Sequence, residues 1–165
     1  VCDGAFFRDE DLLVVGGGDS AVEEAIFLTQ FAKSVTIVHR RDELRAQKVL
    51  QDRAFANEKI HFIWDSVVEA IHGDDRKVSG VTLKNIKTGE ESQVDFGGIF
   101  IYVGLDPVSD FTAGWIVTDD HMKTAIAGIY AVGDVRQKDL RQITTAVGDG
   151  AIAGQEVYKY VTEHS

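Results

Sequence analysis

The sequence has 165 residues, of which 44% are hydrophobic and 27% are charged. This composition allows the chain to bury a core and argues against global disorder.

 The chain has 17 Lys and Arg residues and 27 Asp and Glu residues, which gives a net charge of −10. This acidic balance argues against non-specific binding to nucleic acid or to an anionic membrane surface, although a local basic cluster can still bind a small anion.

The single cysteine, Cys2, excludes an intrachain disulfide and suits a reducing compartment, so we expect a cytoplasmic protein. No apolar run approaches the roughly 20 residues that span a bilayer, and no signal-peptide pattern is present. The sequence begins at Val1 and its only methionine is Met122. We therefore expect it to be a piece of a longer protein.

The first part of the chain predicts a βαβ unit. Asp11–Val15 is a short apolar run typical of a buried strand, and the β-branched segment Ser34–Val38 predicts a second strand. Between them, Ser20 and Glu23 form a capping box that predicts Ser20 as the N-cap of a helix. The buried face of this helix is predicted from small and apolar residues at helical spacing: Ala21, Ala25, Leu28 and Ala32. A right-handed crossover would make the two strands parallel.

The following elements predict an α/β fold with three layers. They are a helix from about Asp42 to Phe55, a strand at Ile60–Ile63, an antiparallel meander over residues 66–95 and a strand at Ile99–Val103 that returns to the parallel sheet. A seam is expected near Pro107, the only proline. Beyond it the sequence predicts turns, a short strand and a long helix.

The spacing Gly16-x-Gly18-x-x-Ala21 is the fingerprint of a dinucleotide-binding loop. The first glycine permits a tight turn, the second lets the backbone approach a pyrophosphate, and the small third residue lets the helix pack on the strand. A strand before the fingerprint and a helix after it provide the confirming context. The alternative is a purely structural turn.

A basic cluster follows the second strand, where NAD-binding proteins usually carry an acidic residue. The cluster consists of His39, Arg40, Arg41 and Arg45. Guanidinium groups would bind a 2′-phosphate with charge-assisted bonds, so the sequence favours NADPH over NADH. The alternative is a solvated turn in which Arg41 and Arg45 pair with Asp42 or Glu43.

A second glycine-aspartate signal lies in the last third of the chain. Gly128–Asp134 predicts a strand that ends in Gly133-Asp134, and Arg141-Gln142 opens a helix rich in Gly and Ala. A carboxylate at a strand end can bind a polyol hydroxyl, and such a helix can approach a flat ring. A structural aspartate followed by a tightly packed helix explains the same residues equally well.

Metal and hydrolase chemistry are not favoured by the remaining residues. The five histidines lack metal-ligand spacing, and we expect each to be a surface or loop residue rather than a ligand. The chain contains neither a nucleophile elbow nor a P-loop lysine motif. Trp64 and Trp115 are expected to serve packing.

Taken together, these segments resemble the bacterial low-molecular-weight thioredoxin reductases. The resemblance covers essentially the whole chain in the family's order, and it is carried by segments 2–7, 14–21, 39–46, 128–134 and 141–146. It implies a homodimeric FAD enzyme in which NADPH reduces the flavin, the flavin reduces a Cys-x-x-Cys disulfide, and the dithiol reduces thioredoxin.

The resemblance also implies roles for individual residues. Cys2 matches the cysteine next to the flavin, and Asp3 matches the acid/base that serves the dithiol. The implied NADPH contacts are Gly16, Gly17, Gly18, Asp19, Ser20, Ala21, His39, Arg40, Arg41 and Arg45. The implied FAD contacts are Gly133, Asp134, Arg141, Gln142 and Ile143.

The resemblance further implies a domain division. Residues 1–105 would form the NADPH-binding domain, with a linker at 1–9 that carries half of the redox motif, and residues 106–165 would form the C-terminal segment of the FAD domain. The other redox cysteine and the first half of the FAD domain would precede Val1, and the family has a longer segment around residues 111–114. We therefore expect this chain alone to be inactive.

Two alternatives to a thioredoxin reductase stay open from the sequence. One is an isolated NADPH-binding module without catalysis. The other is a ferredoxin or flavodoxin–NADP reductase of the same two-domain build, which lacks the cysteine pair and is disfavoured by Cys2-Asp3-Gly4.

Overall fold

The computed structural model describes residues 3–104, 108 and 114–164. The chain divides into two compact units, Val1–Gly104 and Leu105–Ser165. The strands are β1 (Asp11–Val15), β2 (Ser34–Val38), β3 (Ile60–Ile63), β4 (Ser66–Gly73), β5 (Val78–Asn85), β6 (Glu91–Asp95) and β7 (Gly98–Ile101). The helices are α1 (Asp19–Leu28), α2 (Lys48–Phe55) and α3 (Ile143–His164), with short 3-10 helices at Asp3–Phe6 and Gly133–Val135.

A four-stranded parallel sheet with the order β3-β2-β1-β7 forms the centre of the first unit. Val15 pairs with Val38 of β2 on one side and with Ile101 of β7 on the other. The predicted βαβ unit and the return of the last strand to the parallel sheet are both confirmed. Because β1 has neighbours on both sides that follow it in the chain, a crevice is expected beyond its carboxyl end.

One face of this sheet is covered by helices. Leu12 and Val14 of β1 pack with Val22 and Leu28 of α1, and all four are fully buried. Burying a leucine side chain contributes roughly 1.5–3 kcal/mol, so this layer is a main source of stability for the unit. The predicted buried face of the first helix is confirmed at Ala21, Ala25 and Leu28, which are fully buried, whereas Ala32 is buried but lies beyond the end of α1.

The opposite face of the parallel sheet is covered by the antiparallel meander β4-β5-β6. Leu13, which alternates with Leu12 and Val14 along β1, packs with Val81 and Leu83 of β5. Alternating side chains along a strand point to opposite faces, so one apolar strand serves two cores. The predicted α/β fold with helices, parallel sheet and meander is confirmed.

Two predicted helix starts are wrong. Helix α1 begins at Asp19 with Gly18 as its N-cap, so Ser20 lies inside the first turn and makes no side-chain cap. Helix α2 begins at Lys48 rather than near Asp42. The residues before it are kept out of the helix because the amides of Arg45 and Ala46 donate to the carbonyl oxygen of Gly17.

The second unit is built around α3 and a set of turns. The predicted strand at Gly128–Asp134 is wrong: the described residues of this unit form only isolated bridges, Ile116 with Arg136 and Lys123 with Tyr130. Backbone groups of this region pair locally, since Ala131 N donates to Met122 O at 3.1 Å. The predicted long helix is confirmed by α3, whereas Pro107 lies outside the described residues.

No helix in the part of the chain that the structure describes has the length and apolar character needed to cross a bilayer.

Candidate functional site

The glycine loop, residues 16–21, connects β1 to α1 and has no room for side chains at its start. Gly16 has φ +146°, its amide donates to Val38 O at 3.1 Å, and a Cβ there would collide with the carbonyl oxygen of Tyr102 and lie 2.8 Å from Cβ of Ala21. Positive φ and close backbone packing both require glycine. The first and third positions of the fingerprint therefore contact each other, as the motif predicts.

The second fingerprint position faces open space. Gly18 is the N-cap of α1, Val22 N donates to its carbonyl oxygen at 3.1 Å, and a Cβ at Gly18 would meet no atom within 4 Å. The first amides of an α-helix have no partner within the helix and carry the positive end of its dipole. The loop thus offers an anion an approach to the amino end of α1.

His39 packs directly on the glycine loop. A Cβ at Gly17 would lie 2.6 Å from Nδ1 of the imidazole, the residue is only 5% exposed, and its Nε2 has no hydrogen-bond partner among the described residues. Burial, followed by the positive charges of Arg45, Arg41 and Arg40, lowers the pKa of His39. His39 agrees with the expectation of a surface or loop histidine, because it follows β2 in a loop, but its ring is buried rather than exposed.

The basic turn, residues 39–47, is fastened to the glycine loop. The amides of Arg45 and Ala46 donate to Gly17 O at 2.7 and 3.1 Å. The carboxylate of Asp19 accepts bonds from the Gln47 amide at 2.7 Å and from its side chain at 3.0 Å. The phosphate-loop candidates and the basic residues, about 20 positions apart in sequence, therefore form one continuous surface.

The three arginines of the basic turn point to solvent. Arg40, Arg41 and Arg45 are exposed, and none of them forms an ion pair within residues 3–104, 108 and 114–164. Asp42, the expected partner in a purely structural turn, instead binds Lys87 with Nζ 3.1 Å from Oδ2. The structure thus leaves three guanidinium groups available to a ligand anion.

A cleft of about 510 Å³ opens beside the glycine loop and the basic turn. Its polar wall includes Gly16, Gly17, His39, Arg40 and Arg45. Its apolar wall comes from β4 and from the end of β7: Val67, Val68, Ala70, Ile71, Ile99, Ile101, Tyr102 and Val103. This apolar wall is not evident from the sequence, because side chains of a meander strand reach the site only after the meander has packed on the parallel sheet.

In the second unit, the turn at Gly133-Asp134 is held by a buried carboxylate of α3. Asp149 accepts a bond from Gly133 N at 3.0 Å and forms ion pairs with Arg136 at 2.8 Å and Lys138 at 3.0 Å. Burial raises the pKa of Asp149, but its bonds to Lys138 and Arg136 outweigh burial and lower the pKa overall. The sequence does not reveal this role of Asp149, because the role depends on two cations, Arg136 and Lys138, that reach the carboxylate from a turn before α3.

The other candidates of the second unit lie at the beginning of α3. The Arg141 guanidinium lies 3.8 Å from the ring centre of Trp115, and its Nε donates to Asp134 O at 3.3 Å. Ile143 is 84% exposed, and Gln142 N donates to the hydroxyl of Thr145 at 3.1 Å. The structure therefore brings Asp134 and Arg141 together and leaves the Asp134 carboxylate exposed.

Of the two redox candidates, Cys2 and Asp3, the structure describes only Asp3. Asp3 begins the 3-10 helix Asp3–Phe6 and is exposed, while Cys2 lies outside the described residues, as does most of the region around 111–114, where the family is expected to have a longer segment. Within those described residues, no group of His, Cys, Asp and Glu side chains is arranged to hold a metal ion.

The fold and the glycine loop agree with the comparison to known families. The profile of the pyridine nucleotide-disulphide oxidoreductases matches residues 3–150, and the chain belongs to this family.

Its relatives are more specific and confirm the resemblance stated from the sequence. The chain is 57% identical over 99% of its length to a thioredoxin reductase of Listeria monocytogenes and 55% identical to one of Bacillus subtilis, and it spans 54% of each. A crystal structure of thioredoxin reductase from Streptococcus pyogenes superposes with a TM-score of 0.87 at 69% identity, covering 98% of this chain and 56% of that one. The chain thus spans about half the length of the relatives it matches.

Proposed function

We propose that the first unit binds NADPH and that the whole protein is an NADPH-dependent thioredoxin-disulfide reductase. The observation that carries the proposal is the attachment of the glycine loop to a turn whose three arginines form no ion pair with any residue that the structure describes. In this assignment residues 1–105 are the NADPH-binding domain and residues 106–165 are the C-terminal segment of an FAD-binding domain. The names of the relatives support thioredoxin as the partner of the whole protein.

The residues of the first unit fit a phosphorylated dinucleotide. Open space at Gly18 and the amino end of α1 suit a pyrophosphate, and the buried ring of His39 packs against the neighbouring Gly17. Arg40, Arg41 and Arg45 would hold the 2′-phosphate, because a guanidinium forms strong paired hydrogen bonds with phosphate oxygens. Asp19 acts indirectly by fixing Gln47 and with it the basic turn.

The cleft gives the rest of the dinucleotide a place. Its apolar wall on β4 and β7 excludes water from one side of a flat ring, while the glycine loop fixes the phosphates at the other part of the cleft. When bound, NADPH supplies a hydride and FAD passes the electron pair on to a disulfide. The chain's own part in the first unit is to bind and orient.

The residues of the second unit fit contacts to a flavin cofactor. The exposed carboxylate of Asp134 can accept a hydrogen bond from a polyol hydroxyl, and Asp149 holds the turn that carries it. Arg141, Gln142 and Ile143 at the start of α3 complete the proposed surface. Cys2 and Asp3 are proposed as the flavin-side thiol and its proton donor, since a thiolate needs a nearby acid/base for exchange.

The remaining assignments follow the family resemblance. We propose that the whole protein is a homodimer, as the family resemblance implies, and that it is located in the cytoplasm. The presence of a single cysteine in this chain supports the cytoplasm, because few cysteines are typical of proteins in a reducing compartment. The reductase assignment is favoured over a ferredoxin–NADP reductase because Cys2-Asp3 is present and the relatives carry the reductase name.

Calorimetric titration of the chain with NADPH and with NADH tests the nucleotide assignment. We expect tighter binding of NADPH, and the double change Arg40→Gln with Arg45→Gln should weaken NADPH at least about tenfold while leaving NADH unchanged. Arg53→Gln, an exposed arginine of α2, is the matched control and should change neither affinity. Equal affinity of the unaltered chain for both nucleotides would refute the proposal.

A further inference from the structure

Lys87 connects the turn between β5 and β6 to the edge of the basic turn. Its Nζ lies 3.1 Å from Oδ2 of Asp42 and 2.9 Å from Oδ1 of Asp65. Lys87 follows Asp42 by 45 positions in the chain, so the contact depends on the packing of the meander beside the basic turn. Lys87 thus balances two carboxylates that come from other parts of the unit.

The turn that carries Lys87 has a defined shape. Oδ1 of Asn85 accepts bonds from the amides of Lys87 at 2.9 Å and Thr88 at 3.0 Å, and the Asn85 carbonyl oxygen accepts one from Gly89 at 2.8 Å. An asparagine that caps its own turn in this way restricts the backbone. The ammonium group is therefore presented from a fixed base.

Asp65 secures the other side of the contact. Its amide donates to Arg41 O at 3.3 Å, and its carbonyl oxygen accepts a bond from Ile86 N at 2.7 Å. Its side chain is only 18% exposed, whereas that of Asp42 is 71% exposed. Asp65 therefore anchors Lys87, and Lys87 in turn binds the solvent-exposed carboxylate of Asp42.

The position of Asp42 matters because it directly follows Arg41. A carboxylate at this position can weaken phosphate binding in two ways: it can pair with a guanidinium that would otherwise bind the phosphate, or it can repel the phosphate directly. The bond from Lys87 is the main cause that lowers the pKa of Asp42, so this carboxylate stays ionised and paired. The three arginines have no such partner within the described residues.

We propose that Lys87 is a positioning residue for cofactor specificity: it holds the Asp42 carboxylate away from Arg40, Arg41 and Arg45 and so keeps them open to a 2′-phosphate. The inference rests on the proposed binding of NADPH. Lys87 itself does not contact the nucleotide in this arrangement; it acts through Asp42.

The expected effect is modest, because an exposed ion pair contributes little by itself. Removing Lys87 frees one negative charge within the basic turn, and we expect NADPH to bind roughly three- to tenfold more weakly. NADH lacks the 2′-phosphate and should bind as before. A purely structural role of Lys87 would weaken both nucleotides together.

Calorimetric titration of the chain with NADPH and NADH tests this inference in four variants. Lys87→Met should lose NADPH affinity, Lys87→Arg should keep it, and Asp42→Asn alone should change it by less than about twofold. In the double variant Lys87→Met with Asp42→Asn, NADPH affinity should return to within about twofold of the unaltered chain. This non-additivity is the signature of an effect that passes through Asp42.

Lys33→Met is the matched control, because Lys33 pairs with Asp11 at the amino end of the parallel sheet and carries the same charge. It should leave both affinities unchanged. If the unaltered chain prefers NADPH but Lys87→Met binds it normally, or if Asp42→Asn fails to restore the loss, the Lys87 proposal is wrong while NADPH binding stands. If the unaltered chain shows no preference, the proposed function itself is wrong. Should Lys87→Met fail to fold, Lys87→Gln replaces it in the same comparison.

Discussion

The helices of the two units bury different kinds of side chain. In the first unit, α1 buries Ala21, Val22, Ala25 and Leu28 against the parallel sheet. In the second, the buried residues of α3 are Asp149, Ala153 and Glu156. Apolar residues of α3 are exposed instead: Ile143, Val147, Ile152, Val157, Tyr158 and Val161.

This difference shows two ways of holding a helix in place. Apolar burial is non-directional and nearly independent of pH, whereas buried carboxylates must each find cations. Asp149 has Arg136 and Lys138, and Glu156 has Lys123 and Lys159. The second unit should therefore respond to charge changes and the first to changes in side-chain volume.

The two tryptophans allow the units to be followed separately. Trp64 lies in the first unit, stacked on Phe62 at a ring distance of 5.1 Å, and Trp115 lies in the second unit under Arg141. Replacing either tryptophan by phenylalanine leaves the other as the only indole reporter.

The largest expected effect is a volume change in the first unit. Leu28→Ala removes a fully buried side chain and should lower the free energy of unfolding by about 2–5 kcal/mol, because it leaves a cavity. Urea unfolding followed by Trp64 fluorescence measures it. Ile143→Ala on α3, at 84% exposure, is the control, followed by Trp115 fluorescence of its own unit, and should change stability by less than about 0.5 kcal/mol. Equal losses in the two variants would contradict the comparison.

The next effect is a charge change in the second unit. Asp149→Asn keeps the side-chain shape but leaves Arg136 without a carboxylate partner among the described residues and Lys138 with Asp134 alone, 4.0 Å away. We expect a loss of about 1–3 kcal/mol. Urea unfolding followed by Trp115 fluorescence should show the loss, with the Trp64 signal unchanged. Asp120→Asn, an exposed carboxylate of the same unit, should have no effect. An unaltered Trp115 transition in Asp149→Asn would mean that the ion pairs do not hold the turn.

The smallest expected effect is a dependence on pH. Bonds from Lys159 and then Lys123 lower the pKa of Glu156 from 4.5 to about 2, and His121 lies 3.5 Å away on the same carboxylate. Because the folded-state pKa is the lower one, the stabilisation is complete above pH 4.5 and is lost as the pH falls from 4.5 toward 2.

Acid titration followed by Trp115 fluorescence measures this loss. Glu156→Gln should remove the part of the acid transition that Glu156 causes, while the Trp64 signal keeps its profile. A Trp115 profile that is the same with and without Glu156 would exclude this carboxylate as the source.

The elements that the sequence predicted well are those with a strong local pattern. The apolar run of β1, the β-branched run of β2 and the predicted antiparallel meander over residues 66–95 all correspond to strands that the structure contains. The start of α2 was wrong for a tertiary reason. Residues 42–47 favour a helix by composition, but the Gly17 carbonyl oxygen accepts hydrogen bonds from the amides of Arg45 and Ala46.

The candidate site divides in the same way. The glycine spacing and the arginine cluster were visible in the sequence, and their proximity followed from the parallel pairing of β1 with β2. The burial of His39 against Gly17 and the apolar wall on β4 were not visible, because both depend on chain segments that come together only in the folded unit.

The amino-acid sequence by itself determined which segments of the first unit form strands, the family that the chain resembles and the position of the positively charged cluster after β2. Only the tertiary structure decided which carboxylate meets which cation: Asp42 binds Lys87 rather than a neighbouring arginine, and Asp149 binds Arg136 and Lys138 beneath α3. The physical reason is that an ion pair forms over a few ångströms, and the partners closest in space are set by packing between segments far apart in the chain.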